Sequence, residues 1–195
     1  VTYRVVEQDP ETGYLEITNF TSRTPQETRE ALDALLDAGV VQLVLDLRDN
    51  GGGLIVPATE VADLFLSEGV ILYEIRQGGE EIPTRAESGG PATELPVVVL
   101  VNRSTASAAE IVAGAIQRLD RGRLVGDSTY GKGSVQLVFS LSDGSSVHIT
   151  SAKWLLPDRE PVEPDGLTPD VVISQSEDLM DAQLERALEV LESGE

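Results

Sequence analysis

Two stretches of the chain are apolar almost without a break, Val40 to Leu47 and Leu95 to Val101. Both are too short for a buried helix and are rich in Val and Leu, which predicts strands covered on both faces, as in parallel sheets. Between and around them the apolar positions recur at helical spacing. Ala31, Leu32, Leu35 and Leu36 predict a helix that starts at Thr24-Pro25-Gln26-Glu27, with Thr24 as N-cap, Pro25 at N1 and Glu27 closing a capping box, and that ends at Gly39. Val61, Ala62, Leu64 and Phe65 mark a second helix over 57–66, and Ile111, Val112, Ala115, Ile116 and Leu119 a third over 105–119. Leu179, Leu184, Leu188 and Leu191 mark a last helix over 177–191. Further strands are predicted at 2–6 and 13–20, around a turn at Asp9-Pro10-Glu11-Thr12-Gly13, at 70–76, and from 124. Residues 134–141 and 145–152 form a hairpin across Asp143-Gly144, and the polar stretch 78–93 is a loop or short hairpin. Alternating strands and helices define an α/β protein with at least part of its sheet parallel.

At 195 residues the chain is long enough for one domain with a real core. No apolar run approaches the roughly 20 residues that a membrane-spanning helix needs. The chain opens on a strand without a start Met, which points to a piece of something larger. The formal net charge of −20 disfavours nucleic acid and anionic membranes as partners. It fits either a solubility or salt adaptation of the surface or selection of cationic and neutral substrates. Cysteine is absent, which removes disulfides, thiolate metal sites and a Cys nucleophile. One histidine, His148, and scattered acids give no metal-ligand spacing.

Three loops carry candidate chemistry. Ser107, in the small-residue run S-T-A-S-A-A-E, stands at the start of a helix that follows a buried strand. The N–H of Ala108 there faces the place where an oxyanion would form on a carbonyl attacked by Ser107. The plainer alternative is a helix cap. Asp49 to Gly53, D-N-G-G-G, also follows a buried strand, and an amide of its glycines is a candidate second oxyanion donor. A simple strand-to-helix turn is the alternative. Lys132 sits between glycines in Y-G-K-G-S-V-Q, twenty-five positions after Ser107, with Gln136 four further on. A serine hydroxyl needs a base, and a lysine without a carboxylate partner can be that base if it is neutral. In an extended segment residues 132, 134 and 136 share a face, so Gln136 can hold Lys132 without adding charge. The alternative is a solvated turn lysine. His148 is a rival base, or a surface strand residue. Gly126 to Lys132 matches the start of a phosphate loop, but Gly133 stands where Ser or Thr is required and a strand follows where a helix should. Nucleotide binding is therefore excluded.

Taken together, these segments resemble the C-terminal processing peptidases, tail-specific serine proteases with a Ser–Lys dyad. G-Y-L-E-I-T-N-F is similar to the family's G-Y-I-R-I-x-x-F strand, and V-L-D-L-R-D-N-G-G-G to L-D-L-R-x-N-P-G-G. S-T-A-S-A-A-E-I resembles S-A-S-A-S-E-I, whose middle serine is the nucleophile, and V-G-D-S-T-Y-G-K-G-S-V-Q resembles V-G-E-x-T-F-G-K-G-x-V-Q. G-L-T-P-D-V-V-I resembles a terminal G-I-x-P-D-V strand. Gly51 replaces the family's proline, and Thr105 and Ala109 replace flanking serines. The resemblance implies a crotonase-like/ClpP-like α/β core with a mixed, partly parallel sheet flanked by helices. It implies Ser107 as nucleophile, Lys132 as base, Gln136 as its orienting partner, and an oxyanion hole from Ala108 with Gly52 or Gly53. No cofactor or metal is implied. The expected substrates are proteins or peptides with free C-termini, outside the cytoplasm, and a homo-oligomer is compatible with the family. Members usually carry a PDZ domain that captures substrate C-termini; the 195 residues read as the protease core alone. A non-catalytic binding module on the same fold, and a small-substrate esterase or amidase, remain the alternatives.

Overall fold

A computed structural model describes residues 1–174 and 181–194, except for the side chains of residues 137, 138 and 148. The candidate base His148 and the predicted core residue Leu179 thus lie outside what is described.

The larger of two sheets has six strands. They are β1 (Thr2–Val6), β2 (Asp9–Glu16), β3 (Gln42–Asp46), β6 (Val97–Val101), β7 (Arg123–Gly126) and β10 (Val171–Val172), side by side in that order. β1 is antiparallel to β2, and every later neighbour pair is parallel. The smaller sheet is antiparallel, in the order β5 (Glu81–Arg85), β4 (Val70–Arg76), β9 (Ser146–Leu155) and β8 (Ser134–Ser140). The predicted mixed, partly parallel α/β architecture is thus present.

Strand periodicity explains the layering. On β3, β6 and β7, Leu43, Leu45, Val97, Val99, Val101 and Leu124 point into the main core with helices α1 (Thr24–Asp37), α2 (Ile55–Asp63) and α3 (Ala108–Arg118). The alternate residues Val44, Val98, Leu100 and Val125 meet α4 (Ala182–Ser193) through Ala187 and Val190 on the opposite face. Side chains of successive strand residues point to opposite faces, so a strand covered on both sides must be apolar throughout. The two unbroken apolar runs are these central strands.

Two local expectations fail. Asp9 to Gly13 is not a turn but the first half of β2; the chain turns at Glu7–Gln8. Pro10 is tolerated because β3 pairs with β2 only from Thr12 onward, so its missing N–H breaks no bond on that side. Thr24 does not cap α1. The N-cap is Arg23, and the Thr24 hydroxyl turns back to accept from the Thr21 N–H and to donate to the Asn19 carbonyl. Trp154 and Leu156 are core residues, on and just beyond a β9 that runs three residues further than predicted.

α4 is fastened at its N-terminus. The Arg48 guanidinium, just past β3, binds both carboxylate oxygens of Asp181 at 2.9 and 2.8 Å and those of Asp46 at the end of the strand. Asp181 also accepts the Leu184 N–H as N-cap. Burial opposes ionisation of Asp181, but the bonds from Arg48 and Leu184 outweigh it and hold its carboxyl below the usual range. A depressed carboxyl stabilises the fold above the unfolded-state value, about 3.9, and loses that contribution as pH falls through the folded-state value. Asp181→Asn is therefore expected to lower Tm near pH 7, and the gap to the unsubstituted chain to close on acidification to about pH 3. Thermal unfolding across that range checks this; a gap independent of pH would refute it.

Candidate active site

β3, β6 and β7 are adjacent and parallel, so their C-terminal ends lie side by side. The three loops singled out in the sequence leave those three ends. Such ends, at which helices begin, are where open α/β sheets place their sites. Ser107, Lys132, Gln136, Gly51 and Gly53 line one cleft of about 590 Å³, whose remaining wall is Leu54, Ile55, Val56 and Pro57 at the start of α2 with Ser134 and Val135 on β8.

Ser107 has φ +54° and ψ −116°, a backbone region that L-residues seldom occupy. Strain of this kind costs on the order of 1–3 kcal/mol and persists only when the surroundings enforce it. The enforcement is visible. The Ala106 N–H donates to the Asn50 carbonyl at 2.9 Å, the Tyr130 N–H to the Thr105 carbonyl at 2.9 Å, and the Ser107 N–H to Glu110 Oε2 at 2.7 Å. The Thr105 hydroxyl donates to the Leu47 carbonyl and accepts from the Asn102 N–H, tying the β6 loop to the end of β3.

Glu110, fully buried in the first turn of α3, is the centre of this arrangement. Its Oε2 also accepts the Lys132 N–H at 2.9 Å, and its Oε1 accepts the Thr129 hydroxyl at 2.6 Å and the Gly131 N–H at 2.7 Å. One carboxylate thus holds the backbones of both Ser107 and Lys132. Gly131 has φ +85°, and a Cβ there would lie 2.5 Å from the Pro164 carbonyl oxygen, so the lysine loop packs directly on residues 164–166. The Leu167 N–H donates to the Thr129 hydroxyl and closes that contact.

The backbone amides expected to form an oxyanion hole differ in how they are engaged. Among the described residues the Ala108 N–H has no internal partner. The Gly52 N–H donates to Asn50 Oδ1 at 2.9 Å, whereas among the described residues the Gly53 N–H has no internal partner, and Gly53 lines the cleft. A bridge to Phe20 pins this loop, with Phe20 N–H to the Gly52 carbonyl and Leu54 N–H to the Phe20 carbonyl, both 2.9 Å. Gly52 has φ +104°, and a Cβ on it would stand 2.9 Å from both Ser107 Cβ and the Ala106 oxygen.

The cleft gathers Ser107, Lys132 and Gln136, but no hydrogen bond joins Ser107 Oγ to Lys132 Nζ, or Lys132 to Gln136. A register shift between Val135 and Gln136 interrupts the regular alternation that would put 132, 134 and 136 on one face. Among the described residues, no carboxylate forms an ion pair with Lys132. Sequence reading missed Glu110, Thr129, Asn50 and Asn102 as site residues. Only Glu110 had a local signal, its S-x-x-E spacing from Ser107. Its bonds to Thr129, Gly131 and Lys132 span 19, 21 and 22 positions and leave no local trace.

A strained serine turn, a lysine loop and a glycine loop thus meet at the ends of neighbouring parallel strands. The sequence profile of peptidase family S41 matches residues 11–173, and the chain belongs to that family. It is 40% identical over 190 residues to a carboxyl-terminal-processing protease of Synechocystis sp., covering 93% of the chain and 44% of the relative. It is 40% identical over 166 residues to the carboxy-terminal processing protease CtpA of Bacillus subtilis, covering 84% and 35%. The solved structure of a photosystem II D1 C-terminal processing protease superposes with a TM-score of 0.77 at 36% identity, over 92% of this chain and 46% of that one. The chain thus spans less than half the length of these relatives.

Two outcomes follow from the geometry. Glu110→Gln replaces one acceptor oxygen by an NH₂ that faces donors, and is expected to cost about 3 kcal/mol of stability and most of the activity. Urea unfolding reads the first, and unchanged stability would contradict the assigned role. Gly52→Ala is expected to retain a folded protein but to lower turnover about 100-fold by displacing Ser107; full activity would show that the serine turn tolerates the Cβ.

Proposed function

We propose that this chain is the catalytic core of a serine endopeptidase that cleaves proteins near their C-termini. The observation that carries the reading is the convergence of Ser107 and Lys132 on one cleft, from loops held by a shared buried carboxylate, in a chain of family S41.

In this mechanism the neutral amine of Lys132 removes the Ser107 Oγ proton as Oγ attacks the substrate carbonyl carbon. The oxygen of the tetrahedral intermediate receives hydrogen bonds from the Ala108 N–H and, because the Gly52 N–H is held by Asn50, from the Gly53 N–H. The Lys132 ammonium then protonates the departing amine, the C–N bond breaks, and an acyl-Ser107 ester remains. Lys132 next takes a proton from water, which attacks the ester; Ser107 recovers its proton as the new carboxyl end leaves. Gln136 orients Lys132 without adding charge. The hydrogen bond between Ser107 and Lys132, not made in the free chain, forms when substrate fills the cleft, since catalytic hydrogen bonds commonly tighten only in the substrate complex. Leu54, Ile55, Val56 and Pro57 offer an apolar wall to the residue beside the scissile bond.

By analogy with relatives whose names specify carboxyl-terminal processing in bacteria and chloroplasts, the substrates are proteins with free C-termini, met outside the cytoplasm. A PDZ domain of the full-length protein delivers them, and a homo-oligomer is compatible with this core. Among the described residues, no helix is long and apolar enough to cross a membrane.

The test is turnover of an unstructured protein. Ser107→Ala and Lys132→Ala are each expected to lower the rate at least about 1,000-fold. Retention of full activity by Lys132→Ala would reject the dyad. A series of peptides shortened from the C-terminus, set against a small ester, separates the endopeptidase from an esterase.

A further inference from the structure

We infer that the main-chain N–H of Gly51 binds a carbonyl of the substrate backbone that flanks the scissile bond; this rests on the peptidase reading above. Gly51 is exposed, lines the cleft with Ser107 and Lys132, and stands where the similar family segment has proline. Proline has no N–H, so the donor is a feature of this chain. Among the described residues the Gly51 N–H has no internal partner. Neither torsion nor space calls for glycine at this position. Gly52 and Gly53 have φ +104° and +141°, whereas Gly51 lies outside the left-handed region. A Cβ on Gly52 would press on Ser107 Cβ and one on Gly53 on the Phe20 carbonyl oxygen, but one on Gly51 would meet nothing within 4 Å.

The direction of this donor follows from its own peptide plane. In a trans peptide the C=O and the N–H point in opposite directions. The Asn50–Gly51 bond is trans, and its carbonyl accepts the Ala106 N–H at 2.9 Å. The Gly51 N–H, in that same plane, therefore points away from Ala106 and the serine turn. In the mechanism above the Ala108 and Gly53 amides serve the reacting carbonyl on Ser107, and the Gly51 N–H is turned off it. The acceptor left for it is another carbonyl of a polypeptide lying in the cleft. The Ala106 bond holds the plane before Gly51, and the bond from the Gly52 N–H to Asn50 Oδ1 holds the plane after it. A donor fixed in advance loses little freedom on binding. Bonds to the main chain serve any side-chain sequence, and a small ester has no flanking peptide carbonyl to accept one.

Gly51→Pro removes the N–H, and Gly51→Ala keeps it. Each is compared with the unsubstituted chain on a long capped peptide and on a small ester. In Gly51→Pro the peptide-to-ester ratio of kcat/KM is expected to fall about tenfold, through a raised KM for the peptide with kcat moved less than about threefold. In Gly51→Ala the ratio stays within about twofold. Peptides in which one flanking amide at a time is replaced by a trans-alkene remove the acceptor instead. One of them is expected to lose about tenfold with the unsubstituted chain and nothing further with Gly51→Pro. A ratio unmoved by Gly51→Pro overturns the inference. So does an equal fall for peptide and ester, which marks damage to the oxyanion hole, and so does an alkene series additive with Gly51→Pro at every position. If Gly51→Pro does not fold, hydrogen exchange in the Ser107→Ala chain decides. The Gly51 N–H is expected to exchange at least about tenfold more slowly with the peptide bound, and an unchanged rate overturns the inference. Absence of Ser107-dependent peptide cleavage by the unsubstituted chain would instead sink the peptidase reading, and the inference with it.

Discussion

A buried carboxylate with four donors around it governs the geometry of this protein. Removing a carboxylate from water is costly unless its oxygens are saturated with hydrogen bonds. Glu110 meets that requirement only when the backbone at Ser107, the hydroxyl of Thr129 and the backbones at Gly131 and Lys132 all converge on it. The lysine loop cannot drift from the serine without leaving acceptors unfilled in the interior. An acid at this point is better suited than an amide because every neighbour donates and none accepts. The demand of one group for full solvation by protein thus fixes the relative placement of two others.

The sheet supplies the rest. Parallel neighbours end on the same side, so β3, β6 and β7 deliver their loops to one edge without a long connection. Polar side chains then stitch the loops crosswise. Asn102 Oδ1 accepts from Asp49 and Ser104 while its Nδ2 donates to the Asp49 carboxylate, and Thr105 reaches Leu47. This stitching is what sustains the unusual backbone at Ser107. The arrangement also divides labour between layers: the apolar helices pack the main core behind the strands, and the small antiparallel sheet contributes a wall of the cleft through Ser134 to Gln136.

Much of this was legible in the sequence because the physics behind it is local. The apolar runs at 40–47 and 95–101 had to be central strands, and Ser107 and Lys132 were visible as an unusual serine and an unusual lysine in small-residue settings. The turn signal at Asp9 to Gly13 misled because Pro10 lies on the start of β2 before its pairing with β3 begins, where its missing N–H breaks no bond on that side. Thr24 misled because its hydroxyl found better partners behind it than the helix offered. Asn50 and Asn102 were illegible for a different reason. Their meaning lies in partners 33 and 53 positions away, and an asparagine in a glycine-rich loop has an ordinary explanation already.

Those sequence separations have a consequence for the life of the polypeptide. Pairing of distant parallel strands is slow, since loop closure precedes the contacts that reward it. The strained serine backbone, the lysine loop and the glycine loop exist in working order only after β3, β6 and β7 have paired and α3 has brought Glu110 beneath them. A nascent or misfolded copy therefore has Ser107 without the groups that surround it in the folded chain. On the peptidase reading proposed above, bond cleavage is withheld until the chain has become the compact object that it is least able to digest.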